Sequence, residues 1–111
     1  MAARVRRLHD DALAEVVRRL VQALKPERIY LFGSRARGEA TYDSDYDLMV
    51  IVPRSDQPRY RRAQAACRVP HGAEIPIDVL VLTREEFERE LPVVASLPAT
   101  VAREGRLLYA A

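Results

Sequence analysis

The sequence predicts an α/β fold built as a single domain over residues 1–111. Three observations predict it. Short apolar runs recur at 28–32, 46–52 and 75–82, and segments of helical periodicity lie between them. A chain of 111 residues is the size of one domain with one core. No repeat, low-complexity tract or linker long enough to divide it is visible.

Composition removes several function classes. Hydrophobic residues make up 49% of the chain, which is ordinary for a globular protein and argues against disorder. No apolar run approaches the roughly 18 residues of a membrane span. The arginine-bearing N-terminus lacks the apolar segment of a signal peptide. Cys67 is alone, which excludes an internal disulfide and a cysteine-built zinc site. A cytoplasmic location is the default expectation. The net charge of +2 is too small to argue for nucleic acid by itself. Lys25 is the only lysine, so almost every basic residue is arginine. Arginine suits two-pronged phosphate contacts, although a genomic codon bias gives the same composition.

Residues 4–24 read as an amphipathic helix. Val5, Leu8, Ala12, Val16, Leu20 and Val21 recur at three- and four-residue steps, and Leu13, Val17 and Leu24 widen the stripe. Asp10 and Asp11 are expected to oppose Arg18 and Arg19 outside. His9 reads as a surface residue, and Pro26 stops the helix. Residues 28–32 form the first strand. Gly33 permits a backbone angle that a side chain resists. Ser34 then suits the N-cap of a short helix over about 35–40, which Gly38 interrupts or ends. Thr41–Ser44 is a polar turn.

Residues 46–52 are the second strand, closed by Pro53, and 53–59 read as loop. A helix over 59–68 is expected to turn Tyr60, Ala63, Ala66 and Cys67 inward and Arg59, Arg61, Arg62 and Arg68 outward. Pro70, His71 and Gly72 make a turn. Residues 75–82 are the third strand. Thr83 with Glu86 forms a capping box and starts a helix carrying Phe87 and Leu91 inward. Pro92 ends or kinks that helix. Val94–Glu104 reads as a last helix with Pro98 as a defect and Gly105 as its C-cap. Leu107, Leu108 and Tyr109 form a short final strand or docking tail.

The chemistry centres on residues 33–47. A glycine–serine turn follows one apolar strand, and Asp45-x-Asp47 opens the next. On an extended backbone, carboxylates two apart share a face. Asp78 lies within the apolar third strand, where an isolated buried carboxylate is costly. One economical arrangement sets the third strand beside the second, so that Asp78 joins Asp45 and Asp47. Three converging carboxylates require a cation, and oxygen ligands suit Mg²⁺ or Mn²⁺. Backbone amides at the Gly33–Ser34 turn suit phosphate, aided by the Ser34 hydroxyl and by Arg35 and Arg37. Together these parts describe nucleoside triphosphate chemistry with two bridging metal ions.

Each part has a plainer reading. Asp45-x-Asp47 alone also serves as turn chemistry. Asp78 alone also fits an edge-strand aspartate paired to an arginine, and Gly33-Ser34 alone says only that there is a turn. The conjunction separates the readings. A P-loop is excluded: Gly33-x-x-x-x-Gly38 has its glycine spacing, but Glu39-Ala40 stands where lysine and serine or threonine are needed.

Gly33-Ser34, ten residues, then Asp45-x-Asp47-Leu48 and an apolar strand resembles the signature of the polymerase-β-like nucleotidyltransferases. The fuller run Phe32–Gly38, with Ser44-Asp45-x-Asp47-Leu48 and the closing Arg103-Glu104-Gly105-x-x-Leu108-Tyr109, is similar to the minimal nucleotidyltransferase branch over most of the chain. The resemblance implies a mixed sheet flanked by helices and Mg²⁺-dependent transfer of a nucleoside monophosphate, from ATP in this branch, to a hydroxyl. Asp45 and Asp47 would hold the metal ions and the triphosphate. Asp78 would complete the nucleophile-side metal and help remove the hydroxyl proton. Gly33 and Ser34 would hold the terminal phosphates, with Arg35, Arg37 and Ser44 in the nucleotide site. The resemblance further implies an antitoxin that adenylylates a tyrosine of a HEPN-domain ribonuclease toxin and binds it directly.

Only about thirty residues follow Asp78. No additional domain for base or acceptor recognition fits there, so a partner protein is expected to bring the acceptor. Two other functions share the sequence. One is modification of a small hydroxylated molecule, such as an aminoglycoside, and the other is a module that masks a toxin without catalysis. Association with a membrane is not expected. Nor is direct nucleic-acid binding through Arg59, Arg61, Arg62 and Arg68, because Tyr60 is the only aromatic among them.

Overall fold

The first helix, α1 (Ala2–Leu24), opens a computed structural model that describes residues 2–41, 44–69 and 75–111, with side chains from Asp11 onward. Leu13, Val16 and Leu20 are buried at three- and four-residue spacing, as the sequence pattern requires. Val5, Leu8, His9 and Asp10 lie outside the described side chains. The expected pairing of Asp11 with Arg18 and Arg19 is not what forms. Asp11 is exposed, and Glu15 accepts from Arg18 at 2.5 Å and from Arg19 at 2.7 Å. Three- and four-residue steps bring side chains within reach on one helix face, whereas Asp11 and Arg18 are two turns apart, about 10 Å along the axis. The helix ends at Lys25, whose φ of 49° is left-handed, before buried Pro26.

Among the described residues, four strands form one mixed sheet in the order β3-β2-β1-β4. They are β1 (Arg28–Phe32), β2 (Tyr46–Val52), β3 (Ile77–Thr83) and β4 (Arg106–Ala110). β1 pairs antiparallel with both β2 and β4, and β2 pairs parallel with β3. Among the described residues, four further helices accompany the sheet: α2 (Ser34–Arg37), α3 (Arg59–Cys67), α4 (Arg84–Glu90) and α5 (Leu97–Glu104). No helix among the described residues is long and apolar enough to cross a membrane.

Strand alternation divides the core in two. Ile29, Leu31, Leu48, Val50, Val79 and Val81 face α1 and α3, packing with Val16, Leu20 and Ala66. Met49, Ile51 and Leu82 face the other way and pack with Phe87 of α4 and Val101 of α5. Tyr30 stacks on Phe87 on that second face, with ring centres 6.0 Å apart. The second layer buries fewer side chains, and Asp47 and Asp78 lie on its side of the sheet.

Several expectations are corrected by packing. Tyr60 and Cys67 are exposed, so α3 buries only Ala66 fully. Arg62 does not face solvent. Its side chain is only 11% exposed, donates to the Val81 carbonyl at 3.0 Å and pairs with Glu86 at 2.6 Å. Arg59 also reaches Glu86, at 3.1 Å, so these two arginines bind α3 to the start of α4. The third strand begins at Ile77 rather than residue 75, just after Pro76, which cannot donate to a ladder.

Thr83 and Glu86 do form the capping box. The last helix starts later than expected, at Leu97. Ser96 caps it through the Ala99 amide, and Pro98 lies in its first turn. A first-turn proline loses no helical hydrogen bond, so Pro98 is no defect. Gly105 is the C-cap, but with φ of −73°. Its lack of a side chain answers to space: a Cβ there would lie 2.4 Å from the Val101 carbonyl oxygen. Of the two expected forms of the closing residues, the short final strand is the one that forms, pairing with β1 with a register shift between Ile29 and Tyr30. The turn expected at Pro70–Gly72 lies outside the described residues.

Candidate active site

The link between β1 and β2 carries most of the site. Phe32 ends β1 and pairs with Asp47 on β2. Gly33 follows with φ 74° and ψ −157°, a region that only glycine enters readily. Its missing side chain has a second use. A Cβ at Gly33 would stand 2.4 Å from Asp47 Oδ2, so the carboxylate rests against bare backbone. Gly33 takes the N-cap position of α2 and Ser34 is the first helical residue, which corrects the expected Ser34 cap. The Ala36 and Arg37 amides donate to the Gly33 carbonyl at 3.1 and 3.2 Å. Gly38, left-handed at φ 74°, closes the helix, so the expected span of 35–40 shortens. Four residues generate little dipole. Phosphate binding would therefore rest on local amides, the Ser34 hydroxyl and arginine.

β2 and β3 bring the carboxylates together. In the parallel register Asp47 lies beside Asp78 and Met49 beside Leu80. Met49 and Leu82 belong to the α4/α5 face, so alternation puts Asp47 and Asp78 on that face as neighbours. Asp45 precedes the strand. Burial raises the Asp47 carboxyl above its ordinary range, and the charges of Asp78 and Asp45 raise it further. Arg37 opposes them from the glycine turn. Asp47 is partly buried, whereas Asp45 and Asp78 are exposed. The expectation of a buried Asp78 is thus corrected: at the open end of its strand it keeps its hydration, and its tie to the site is position.

The remaining predicted residues divide in role. Arg35 donates through Nε and Nη2 to the Ser44 carbonyl at 3.1 and 2.8 Å. Its guanidinium also lies 4.2 Å above the ring of buried Tyr46. Ser44 Oγ accepts from the Thr41 amide at 2.9 Å; residues 42 and 43 of the expected polar turn lie outside the described residues. Arg37 is exposed and 3.3 Å from Glu39. Tyr46 is the participant that sequence reasoning missed. Its signal was an aromatic between two aspartates, eleven residues after an arginine.

Among the described residues, no three acidic or metal-ligating side chains are drawn into a ready-made cage. The donor set nevertheless fits a hard divalent cation. It is all carboxylate oxygen, its members repel one another at Asp47, and the two outer ones are exposed and able to turn inward.

Residues 11–108 match the family model described as the nucleotidyltransferase domain. No curated protein is similar enough to count as a relative. Among solved structures, one from Sulfolobus solfataricus that has been put forward as a nucleotidyltransferase is 22% identical, with a TM-score of 0.65, over 90% of this chain and 78% of that one. A chain of a toxin–antitoxin structure with AMP-PNP is 23% identical, with a TM-score of 0.51, over 88% and 73%. Identities this low speak to the fold alone. The family match spans almost the whole sequence, from α1 to β4, and includes every residue of the site; the chain belongs to the nucleotidyltransferase domain family of the polymerase-β-like superfamily.

Proposed function

We propose that this protein transfers AMP from ATP to a hydroxyl, and that the acceptor is a tyrosine of a HEPN-domain ribonuclease toxin which it neutralises as an antitoxin. The observation that carries the transfer reaction is the Asp47–Asp78 register, with Asp47 raised by burial and then by its acidic neighbours. Mutually repelling carboxylates at the edge of a glycine turn suit a metal-bound triphosphate. Asp45, Asp47 and Asp78 would hold Mg²⁺, two ions in all, with Mn²⁺ able to substitute. Bound there, such ions would neutralise phosphate charge and make the acceptor hydroxyl more acidic.

The chain's own groups do the rest. Amides and the hydroxyl at Gly33–Ser34 hold the terminal phosphates, and Arg37 faces their charge. The acceptor oxygen attacks the α-phosphorus, forming a new P–O ester bond. The α–β bridging P–O bond breaks and pyrophosphate leaves. Asp78 takes the hydroxyl proton. Holding both reactants in line supplies much of the rate.

The partner reading rests on two supports. The fold resembles a chain of a toxin–antitoxin structure solved with AMP-PNP. Val93, Val94 and Leu97 are also exposed near the end of the α4/α5 layer, and apolar exposure of this kind suits a protein surface. The purified protein, its neighbouring-gene product, Mg²⁺ and labelled ATP provide the test. Label on a partner tyrosine, lost with Asp45→Asn, is the expected result. Asp47→Ala separates catalysis from masking: neutralisation that survives in this variant without label would overturn the catalytic reading. Label on an added aminoglycoside instead of the partner would favour a small-molecule acceptor.

A further inference from the structure

Arg35 grips the chain on both sides of Asp45. It is bonded to the Ser44 carbonyl before it, at 3.1 and 2.8 Å, and stacked 4.2 Å above the Tyr46 ring after it. Tyr46 is 4% exposed, and its amide donates to the Pro76 carbonyl at 2.9 Å, which aligns the entrance of β2 with the strand carrying Asp78. Arg35 itself belongs to α2, directly after Gly33-Ser34. One guanidinium therefore links the glycine–serine turn to the acidic entrance, and through Tyr46 to β3. We infer that Arg35 is a positioning residue for Asp45 and not a phosphate ligand, so that Arg37 is the cation left facing the nucleotide.

The physical reason is geometric. A guanidinium is planar; it can send two parallel N–H groups to one carbonyl and lie flat on an aromatic ring at the same time. An ammonium carries the same charge but cannot do both. A phosphate ligand chosen for charge tolerates lysine, whereas a clasp does not. Asp45 has no strand pairing of its own, since β2 begins at Tyr46. Its direction depends on how residues 44 and 46 are held.

This inference rests on the metal–nucleotide reading of the site, and its test keeps the two apart. Hydrogen exchange of the metal-free protein reads the clasp alone. In Arg35→Lys the amides of residues 44–47 are expected to exchange at least about tenfold faster, with α1 and α5 unchanged. Titration with Mn²⁺ alone, followed by electron paramagnetic resonance, reads the consequence. Arg35→Lys is expected to lose about tenfold in Mn²⁺ affinity, as removal of a partner that orients a metal ligand typically does. A fluorescent triphosphate analogue bound in EDTA should keep its affinity in Arg35→Gln, which removes the charge, and lose it in Arg37→Ala. Tyr46→Leu keeps apolar volume, removes the ring and should follow Arg35→Lys in exchange and Mn²⁺ affinity.

Unchanged exchange in Arg35→Lys would overturn the clasp, as would a loss of metal-free triphosphate affinity in Arg35→Gln. Failure of the wild-type protein to bind Mn²⁺ would instead overturn the metal reading, whatever the exchange shows.

Discussion

Replacing Gly33 with alanine tests how the glycine turn serves the carboxylates. The backbone at φ 74° and ψ −157° resists any side chain, at a cost of roughly 1–3 kcal/mol. The new Cβ would also stand 2.4 Å from Asp47 Oδ2. That oxygen ends a side chain that can rotate away, so the overlap adds little to the stability loss. Its effect is to turn Asp47 out of line with Asp78. At roughly 4 °C per kcal/mol for a domain of this size, a loss of about 2 kcal/mol lowers the melting temperature by about 8 °C.

Gly38→Ala is the control. Gly38 also has φ 74°, but its ψ of 15° is ordinary left-handed helix, and nothing lies within 4 Å of an added Cβ. It should cost about 1–2 kcal/mol and leave the carboxylates in place. Thermal melts compare the two variants, and Mn²⁺ titration separates them. Gly33→Ala should weaken Mn²⁺ binding at least about tenfold, and Gly38→Ala should not. Equal Mn²⁺ affinity in both would refute the idea that Gly33 is bare in order to seat Asp47.

Three further predictions follow from packing and charge. Asp47→Asn should remove the repulsion from Asp78 and Asp45 and raise the stability of the metal-free protein at neutral pH by about 0.5–2 kcal/mol, the range of single stabilising substitutions. The sign follows from a folded-state carboxyl that binds its proton more tightly than the unfolded one. Its ionisation opposes folding at neutral pH, and the penalty fades as pH falls through the folded value. A melt without metal checks the gain, and a melt with Mg²⁺ should show stabilisation of the wild type only. Glu86→Gln should cost roughly 1.5–3 kcal/mol at pH 7, the range for hydrogen bonds to a charged group. Its carboxyl is held well below the ordinary 4.5, first by Arg62 and then by the Thr83 amide and Arg59. A depressed folded value stabilises above the unfolded one, so the gap between variant and wild type should narrow in urea melts taken progressively below pH 4.5. Gly105→Ala should cost about 1–3 kcal/mol although its φ is −73°, because the intruding Cβ meets backbone at Val101. A loss under 0.5 kcal/mol by urea denaturation would contradict that contact.

Much of the fold was legible because its signals are local. The first two strands stand where the apolar runs placed them, at Arg28–Phe32 and Tyr46–Val52. The Thr83–Glu86 box was readable from two residues. The approach of Asp78 to Asp47 was readable as an economy among charges, and the parallel register provides it. What escaped depends on tertiary contacts and on space, which the local pattern does not show. Arg62 looked like solvent-facing charge because Glu86, 24 residues away, was not visible as its partner. Gly105 looked like a conformational cap because the carbonyls it must clear come from Val101 and Leu31. Ser34 looked like the cap because serine favours that position, but the approach of Asp47 gives it to glycine.

The parts of the site differ in their distance along the chain. The Gly33 turn, Arg35 and the Asp45–Asp47 entrance lie within the connection of one antiparallel pair and can be assembled by closing that hairpin. Asp78 arrives only through the crossover that carries α3 and sets β3 parallel to β2. Parallel pairing comes with greater loop-closure cost than a hairpin. The strand that completes the sheet edge is thus also the strand that completes the acidic triad. A chain in which β3 has not docked has the glycine turn and two aspartates but not Asp78 beside them, so the three carboxylates come together only once the parallel strand is in place.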